Sequence, residues 1–378
     1  MIAAIMKETT LGENRVADTP KTVKELIKSG LTVRIQSGAG KASFYSDQDY
    51  IDAGAEVISD ISSLYNNVNI VLKVAPATIE EIESFPNGTA YVSLIQTTRQ
   101  SQQVQKLTEK NITGFSMHLI PRTSLAQSMD ALSSQANIAG YKSVLMGATH
   151  LPVYMPLLMT AAGTIPPAKV LILGAGVAGL QAIATAKRLG AQVEAFDVRP
   201  EVKEQVESLG AKFVEVASDS DDGVGEGGYA KETSDDYKQR QQALIKAHIA
   251  KSNLVITTAL IPGRPAPLLI PTDMVNGMKP GSVIMDLAAE NGGNCELTQG
   301  DEIVNHNGVI IDGTINLPST MPAHASQLYA KNVSTFVTYM MKEGELNLDL
   351  EDEIISGAMF THEGKITHEP TREAVRNS

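Results

Sequence analysis

Three glycines and an aspartate in this chain are spaced to hold a phosphate-bearing anion. The apolar run Val170-Leu171-Ile172-Leu173 leads directly into Gly174-Ala175-Gly176-Val177-Ala178-Gly179. In such a run the first glycine permits a tight strand-to-helix turn. The second lets backbone N–H groups approach a pyrophosphate, and the third lets the helix pack close to the strand. The helix N-terminus presents free N–H groups to the anion, which makes the backbone at Val177 and Ala178 a candidate pyrophosphate contact. Asp197 follows a second apolar run, 192–196, at roughly the 20-residue interval where an acid meets the adenosine ribose. A carboxylate there accepts from the ribose hydroxyls and repels a 2′-phosphate, which points to NAD(H) rather than NADP(H). Val198 and Arg199 fall at the adenosine edge, and the Arg199 cation is near enough to complicate that preference. Thr258, Ala259 and Leu260, with Pro262, follow a predicted strand over 253–257 and border the same crevice, as any loop in that position would.

The elements needed to position these groups are visible around them. Residues 1–125 read as an α/β unit, with a strand over 2–6, a helix over 20–28 and a strand over 31–36. Thr19 is the expected N-cap of that helix and Gly30 lies just past its end. Further strands are expected over 68–74 and 89–94. A helical stretch over 126–146 leads to a second unit, which carries the glycine turn and continues through strands over 253–257, 282–287 and 309–312. Helix-length segments separate these strands, as a doubly wound sheet requires. A helix over 323–342 is expected to pack back on the first unit. The reading is an α/β fold of two Rossmann-like, doubly wound parallel-sheet domains with a cleft between them. One domain takes 1–125 plus 322–378, the other 135–320, and 126–134 is a linking helix or loop.

Two stretches differ in character from the rest. Residues 143–165 are apolar but hold His150, Pro152 and Pro156, and read as the end of one buried helix and the start of the next rather than a membrane span. Residues 217–236 gather acids around Gly223, Gly225, Gly227 and Gly228 and are expected to form a surface loop. Such a loop is either simply solvated or, with Tyr229 at its centre, a lid that closes over a cofactor.

Composition narrows the function further. The chain has 378 residues, 43% of them hydrophobic and 20% charged, enough for two separate cores. A net charge of −12 argues against nucleic acid and against adsorption to anionic lipid, since both need clustered cations. The single cysteine, Cys295, cannot form an intrachain disulfide, and a strand and charges stand where a signal peptide would need an apolar core. No transmembrane helix is expected, so a cytoplasmic location follows. The seven histidines lack metal-ligand spacing with acids or cysteine, and no metal is assigned; His118 and His324 are expected to be satisfied structural histidines.

Longer motifs make the reading more specific. The run Lys7-Glu8-Thr9-Thr10-Leu11-Gly12-Glu13-Asn14-Arg15-Val16-Ala17-Asp18-Thr19-Pro20, together with Phe44-Tyr45-Ser46-Asp47-Gln48-Asp49-Tyr50-Ile51-Asp52-Ala53-Gly54-Ala55, resembles the family uniting alanine dehydrogenase, saccharopine-type dehydrogenases and the alpha subunit of proton-translocating NAD(P) transhydrogenase. The stretch from Pro121-Arg122-Thr123 through Gln127, Asp130 and Ser133 to Gly140-Tyr141-Lys142 resembles the Arg-Gln-Asp loop of the transhydrogenase NAD(H)-binding component. Glu226-Gly227-Gly228-Tyr229-Ala230-Lys231-Glu232 resembles that component's mobile loop, and Asp286-Leu287-Ala288-Ala289-Glu290-Asn291-Gly292-Gly293-Asn294 its late strand-to-loop segment. Alanine dehydrogenases carry a lysine just before a Glu-Pro pair and a histidine on the following strand. Here the matching stretches are Leu72-Lys73-Val74-Ala75-Pro76 and Ser93-Leu94-Ile95-Gln96, with neither. Arg15 is retained, as a substrate contact or as a structural ion pair.

The resemblance implies a Si/Re-specific, proton-translocating NAD(P)+ transhydrogenase activity with partners. NAD(H) is held on this chain and NADP(H) on a partner domain, while membrane-spanning subunits form the proton channel. The component would be a homodimer, peripheral to the membrane through those partners and not itself inserted. By resemblance Arg122 and Asp130 form a pair that orients the carboxamide and ribose. Ser133 adds a hydrogen bond, Gln127 reaches toward the incoming NADP(H), and Gly228 and Tyr229 complete the lid. Exchange of a hydride between two nicotinamides moves no proton at the reacting carbons, so positioning is the catalytic task. Two alternatives share the fold: an amino-acid dehydrogenase of the alanine dehydrogenase type, and a non-catalytic NAD(H)-sensing or interaction protein.

Overall fold

A computed structural model describes residues 1–216, 235–261 and 265–378 and divides them into two compact units. Unit 1 comprises Met1–Gln135 and Pro318–Ser378, and unit 2 comprises Ala136–Leu317. The lid stretch with Gly228 and Tyr229, and Pro262, lie outside the described residues.

Unit 1 begins with alternating strands and helices: β1 (Ile2–Ile5), α1 (Pro20–Lys28), β2 (Thr32–Gln36), α2 (Asp47–Asp52), β3 (Glu56–Ile58), α3 (Ile61–Leu64), β4 (Ile70–Leu72), α4 (Ile79–Ser84), β5 (Ala90–Ser93), α5 (Ser101–Glu109) and β6 (Thr113–Ser116). Thr19 caps α1, its side chain and that of Thr22 each accepting the other's backbone N–H, with Pro20 opening the helix. A long helix, α6 (Ala131–His150), follows, and the division after Gln135 falls within its sequence. The helical stretch expected over 126–146 is interrupted at its start. Gln127–Met129 forms a single 3-10 turn, and Asp130, with φ −72° and ψ 86°, leaves helical geometry before α6 begins.

Unit 2 continues with β7 (Leu158–Thr160), β8 (Gly163–Ile165), β9 (Lys169–Leu173), α7 (Val177–Arg188), β10 (Gln192–Phe196), α8 (Lys203–Ser208), β11 (Lys212–Phe213), α9 (Asp235–Ile249), β12 (Leu254–Thr257), α10 (Thr272–Asn276), β13 (Val283–Asp286), β14 (Ile303–His306) and β15 (Val309–Asp312). The chain then returns to unit 1 as α11 (Pro322–Tyr339), a short hairpin of β16 (Met341–Lys342) and β17 (Glu345–Leu346), α12 (Glu353–Ala358), β18 (Met359–His362), β19 (Lys365–Ile366) and α13 (Glu369–Arg376). The helix expected over 323–342 ends earlier, because Glu343 and Gly344 take positive φ and turn Lys342 back onto Glu345.

Each unit is built on its own sheet. In unit 1 the order is β19-β18-β6-β5-β4-β1-β2-β3, parallel from β6 to β3, with β18 and β19 added antiparallel. In unit 2 the order is β11-β10-β9-β12-β13-β15-β14, parallel except for β14. The central strands are buried apart from Lys169 at the start of β9, as strands covered by helices on both faces must be. Apolar clusters fill the space on the two sides of the unit 2 sheet, one around Val170, Ile172, Ala182 and Ile256 and the other around Leu171, Leu173, Val255 and Ile284. Both sheets are of the doubly wound kind expected, with winding reversed between β1 and β4 in unit 1 and between β9 and β12 in unit 2.

The stretch 143–165 corrects one expectation. After α6 ends at His150 the chain does not start another helix; it forms an isolated antiparallel hairpin, β7 against β8. Pro152 and Pro156 prevent continuation of a helix, and Gly163, at φ +135°, supplies a turn conformation closed to other residues. Among the described residues no helix is long and apolar enough to cross a membrane.

Candidate functional site

In unit 2 the glycine turn joins β9 to α7, and each glycine meets a different constraint. Gly174 has φ +105°, and a Cβ there would lie 2.5 Å from Thr258 Oγ1. That hydroxyl donates to the Gly174 carbonyl at 3.0 Å, tying the loop after β12 to the turn after β9. A Cβ on Gly179 would lie 1.9 Å from the Gly174 carbonyl oxygen, so only glycine lets α7 approach this closely. Around Gly176 the reverse holds, with nothing within 4 Å of a Cβ position. Gly176 is the N-cap of α7 and no side chain caps the helix, so its first N–H groups have no side-chain acceptor and the space beside Gly176 is open. An anion fits that space, because the N–H groups and the helix dipole act on it together.

A close helix contact supports this turn. A Cβ on Gly140 of α6 would lie 2.1 Å from the carbonyl oxygen of Ala178, which fixes the approach of α6 to the first turn of α7. Val177, at the start of α7, and Val198, just beyond β10, are exposed.

Asp197 stands just beyond β10, and its carboxylate is held entirely by its own chain. Oδ2 accepts from the Ala175 backbone N–H at 2.7 Å and from Arg199 Nη2 at 3.0 Å. Oδ1 accepts from the Arg199 backbone N–H at 2.9 Å and from Arg199 Nε at 3.0 Å. Burial pushes the carboxyl up, but the Arg199 side chain and the two backbone donors outweigh it and hold the group below its ordinary range. The acid is therefore an anion at neutral pH, joining the glycine turn at Ala175 to the segment at Arg199.

The loop of Thr258, Ala259 and Leu260 is fixed by a buried polar scaffold that the sequence reading missed. Asn294 Oδ1 accepts from the Ala259 N–H at 3.0 Å, and its Nδ2 donates to the carbonyls of Ala259 and Pro267 at 2.9 and 2.8 Å. Asp286, at the end of β13, orients Asn294 in turn by accepting its backbone N–H at 2.7 Å. The same carboxylate accepts from Cys295 N, Thr298 Oγ1, Thr257 Oγ1 and Ala288 N. The only sequence signal was the Asp286 to Asn294 motif itself.

The other predicted residues lie in unit 1, ahead of α6 or, for Ser133, in its first turn. Asp130 acts as the cap of that helix, accepting from the Ser133 N–H at 2.9 Å and from Ser133 Oγ at 2.6 Å. Gln127 is exposed on the 3-10 turn. Arg122 is exposed as well, and no ion pair joins it to Asp130 among the described residues. Both Asp130 oxygens instead accept from Ser133 at the helix start. A further clamp comes from Asn332 of α11, which donates to the Ser128 carbonyl at 2.9 Å and accepts from Ser134 Oγ at 2.7 Å.

Elsewhere in unit 1 the charged side chains near the carboxyl edge are engaged with one another. Arg15 donates to Glu13 through Nε at 2.8 Å and Nη2 at 2.7 Å, and to Gln135 through Nη1 at 2.9 Å. Lys73 is fully buried and sits 2.8 Å from Glu81 and 3.7 Å from Glu8. Burial pushes the Glu8 carboxyl up to about 7, against the pull of Lys73 and the Val74 N–H. His118 is pushed down to about 4 by burial and by the Arg15 charge, so its ring is neutral at neutral pH. Among the described residues no group of histidine, cysteine and acid side chains is placed to hold a metal ion.

Comparison with known proteins agrees with this architecture. Residues 4–139 match the family model described as alanine dehydrogenase/PNT, N-terminal domain, and 143–369 match its C-terminal counterpart. The chain is 46% identical over 376 residues to the first part of the NAD(P) transhydrogenase alpha subunit of Rhodospirillum rubrum, covering 97% of this chain and 98% of that one. A solved transhydrogenase structure from Sinorhizobium meliloti superposes with a TM-score of 0.88 at 44% identity, covering 97% of this chain and 100% of that one. A solved L-alanine dehydrogenase superposes with a TM-score of 0.85 at 26% identity, covering 100% and 99%.

Proposed function

The chain belongs to the alanine dehydrogenase/PNT family, and from that premise we propose that it is the NAD(H)-binding component of a proton-translocating NAD(P) transhydrogenase. One observation carries the nucleotide half of this reading: the open, uncapped start of α7 at Gly176, with the Asp197 carboxylate 2.7 Å from the Ala175 N–H beside it. A pyrophosphate and an adenosine ribose are the groups these donors and this acceptor suit. The choice of transhydrogenase over deaminase is supported by the higher identity to the transhydrogenase relatives and by the state of Arg15 and Lys73. Both cations are engaged by carboxylates of their own chain.

When bound, the dihydronicotinamide supplies the hydride that passes to a second nicotinamide. The chain's own contribution is to bind and orient. Val177 and Ala178 offer backbone N–H groups to the pyrophosphate, Asp197 anchors the adenosine end, and Thr258, Ala259 and Leu260 border the sheet edge. On the loop ahead of α6 and in its first turn, Arg122, Asp130 and Ser133 orient the carboxamide and ribose, and Gln127 reaches toward the acceptor nucleotide. Gly228 and Tyr229 act as the lid. NADP(H) is held by a partner domain, the proton path belongs to membrane-spanning partners, and the component works as a homodimer.

The deciding experiment follows NADH oxidation in two samples, one with pyruvate and ammonium, the other with NADP+ and a purified transhydrogenase NADP(H)-binding domain. Turnover in the second sample alone is the expected result. Turnover in the first would make the chain an amino-acid dehydrogenase, and NADH binding without turnover in either would make it a sensor.

A further inference from the structure

We propose that Arg199 is a specificity determinant of the nucleotide site, competing with the ribose diol for Asp197 and so setting the preference between NAD(H) and its 2′-phosphorylated counterpart. The inference rests on the dinucleotide reading above and gives Arg199 a defined role within it. A carboxylate offers about four lone-pair positions, two on each oxygen. At Asp197 all four are taken: Ala175 N and Arg199 Nη2 on Oδ2, and Arg199 N and Nε on Oδ1. The two backbone donors are fixed by the turn. The two guanidinium donors are not, because they belong to a side chain that is 50% exposed, while the Asp197 side chain is 6% exposed.

The guanidinium places one N–H on each Asp197 oxygen, and this is the pattern in which a vicinal diol would donate two O–H groups to the same carboxylate. Ribose hydroxyls and the Arg199 fork are thus alternatives for the same two positions. A bound 2′,3′-diol must displace the fork, and the released guanidinium then lies beside Asp197 on an open edge flanked by exposed Val198. A 2′-phosphate brings no donor to Asp197 and is repelled by it, but it is a partner for the freed guanidinium. Arg199 therefore opposes the diol and favours the phosphate, which reduces the discrimination that Asp197 alone would give.

The test is titration of NADH and NADPH, by nicotinamide fluorescence, into the full chain carrying Arg199, Arg199→Lys or Arg199→Ala. Removal of a competing ion pair whose arginine is half-exposed is expected to tighten NADH by about two- to fivefold in Arg199→Ala. NADPH is expected to weaken by about tenfold in the same protein, because a charge-assisted partner is lost. Arg199→Lys keeps the charge without the fork, so it should tighten NADH while leaving NADPH close to the parent value. Unchanged or weaker NADH binding in Arg199→Ala, with NADH still bound by the parent chain, overturns the role given to Arg199 and leaves the site itself standing. Failure of the parent chain to bind either nucleotide overturns the dinucleotide reading, and this proposal with it.

Discussion

The side chain of Asn294 closes a two-bond ring with the backbone of Ala259, donating to its carbonyl at 2.9 Å and accepting its N–H at 3.0 Å. An amide carries a donor and an acceptor side by side and so can do both from one end, and with a third bond to Pro267 O it holds the loop after β12 in one conformation.

Asn294→Ala is therefore expected to destabilise the chain by roughly 2 kcal/mol, since three partly buried backbone groups lose their partner. NADH affinity should fall with it as the loop of Thr258, Ala259 and Leu260 loosens. Urea denaturation and NADH titration read the two effects. A stable variant with unchanged affinity would show that the loop holds its shape without the clamp.

The glycines of the turn predict opposite outcomes for one substitution. Gly176→Ala has room for its methyl and an ordinary backbone conformation, so melting should change by no more than about 2 °C. The methyl would stand in the anion's place and weaken NADH by about tenfold. Gly179→Ala would drive a methyl into the Gly174 carbonyl and should cost on the order of 3 kcal/mol in folding. Equal melting temperatures for the two variants would contradict this division.

Gln127 is exposed and outside the nucleotide turn. Gln127→Asn is expected to slow transfer to NADP+ in the reconstituted assay while NADH affinity stays nearly intact. A large loss of NADH binding would contradict its role toward the acceptor.

The buried Glu8 makes stability depend on pH in an unusual direction. Its folded value of about 7 lies above its ordinary 4.5, so the folded chain binds the proton more tightly than the unfolded chain does. The contribution is fully present below 4.5 and is lost as pH rises through about 7, on the order of 3 kcal/mol in all. Asp18, also fully buried and pushed well above its ordinary value by burial, acts in the same sense. Denaturation curves at pH 5 and pH 8 should show the loss in the parent chain, and Glu8→Gln should reduce it. An equal pH dependence in Glu8→Gln would remove Glu8 as the cause.

What could be read from the sequence was what local constraints dictate. The turn at Gly174 was legible because a tight strand-to-helix connection needs glycine at fixed offsets, and α1 because Thr19 and Pro20 mark its start. The β7–β8 hairpin was not legible, since Leu157, Leu158 and Met159 make an apolar run without alternation, and only the conformation of Gly163 turns it back. The clamps by Asn294 and Asn332 join residues far apart in the chain, so no spacing announces them. Arg199 is only two residues from Asp197, yet its fork meets both oxygens because of the backbone turn between them, which residue types do not specify.

The charge cluster of unit 1 constrains how this chain can change over generations. Arg15 is matched by Glu13 and Lys73 by Glu81, each within 3 Å and largely out of water. Removing one member of such a pair strands its partner's charge in the interior, at a cost of about 3–5 kcal/mol, a large share of the margin by which a domain stays folded. Single substitutions here are closed to drift, and only paired replacements are open. Arg15 and Lys73 can thus persist in a lineage as fixtures of the fold, whatever chemistry first placed two cations at that edge.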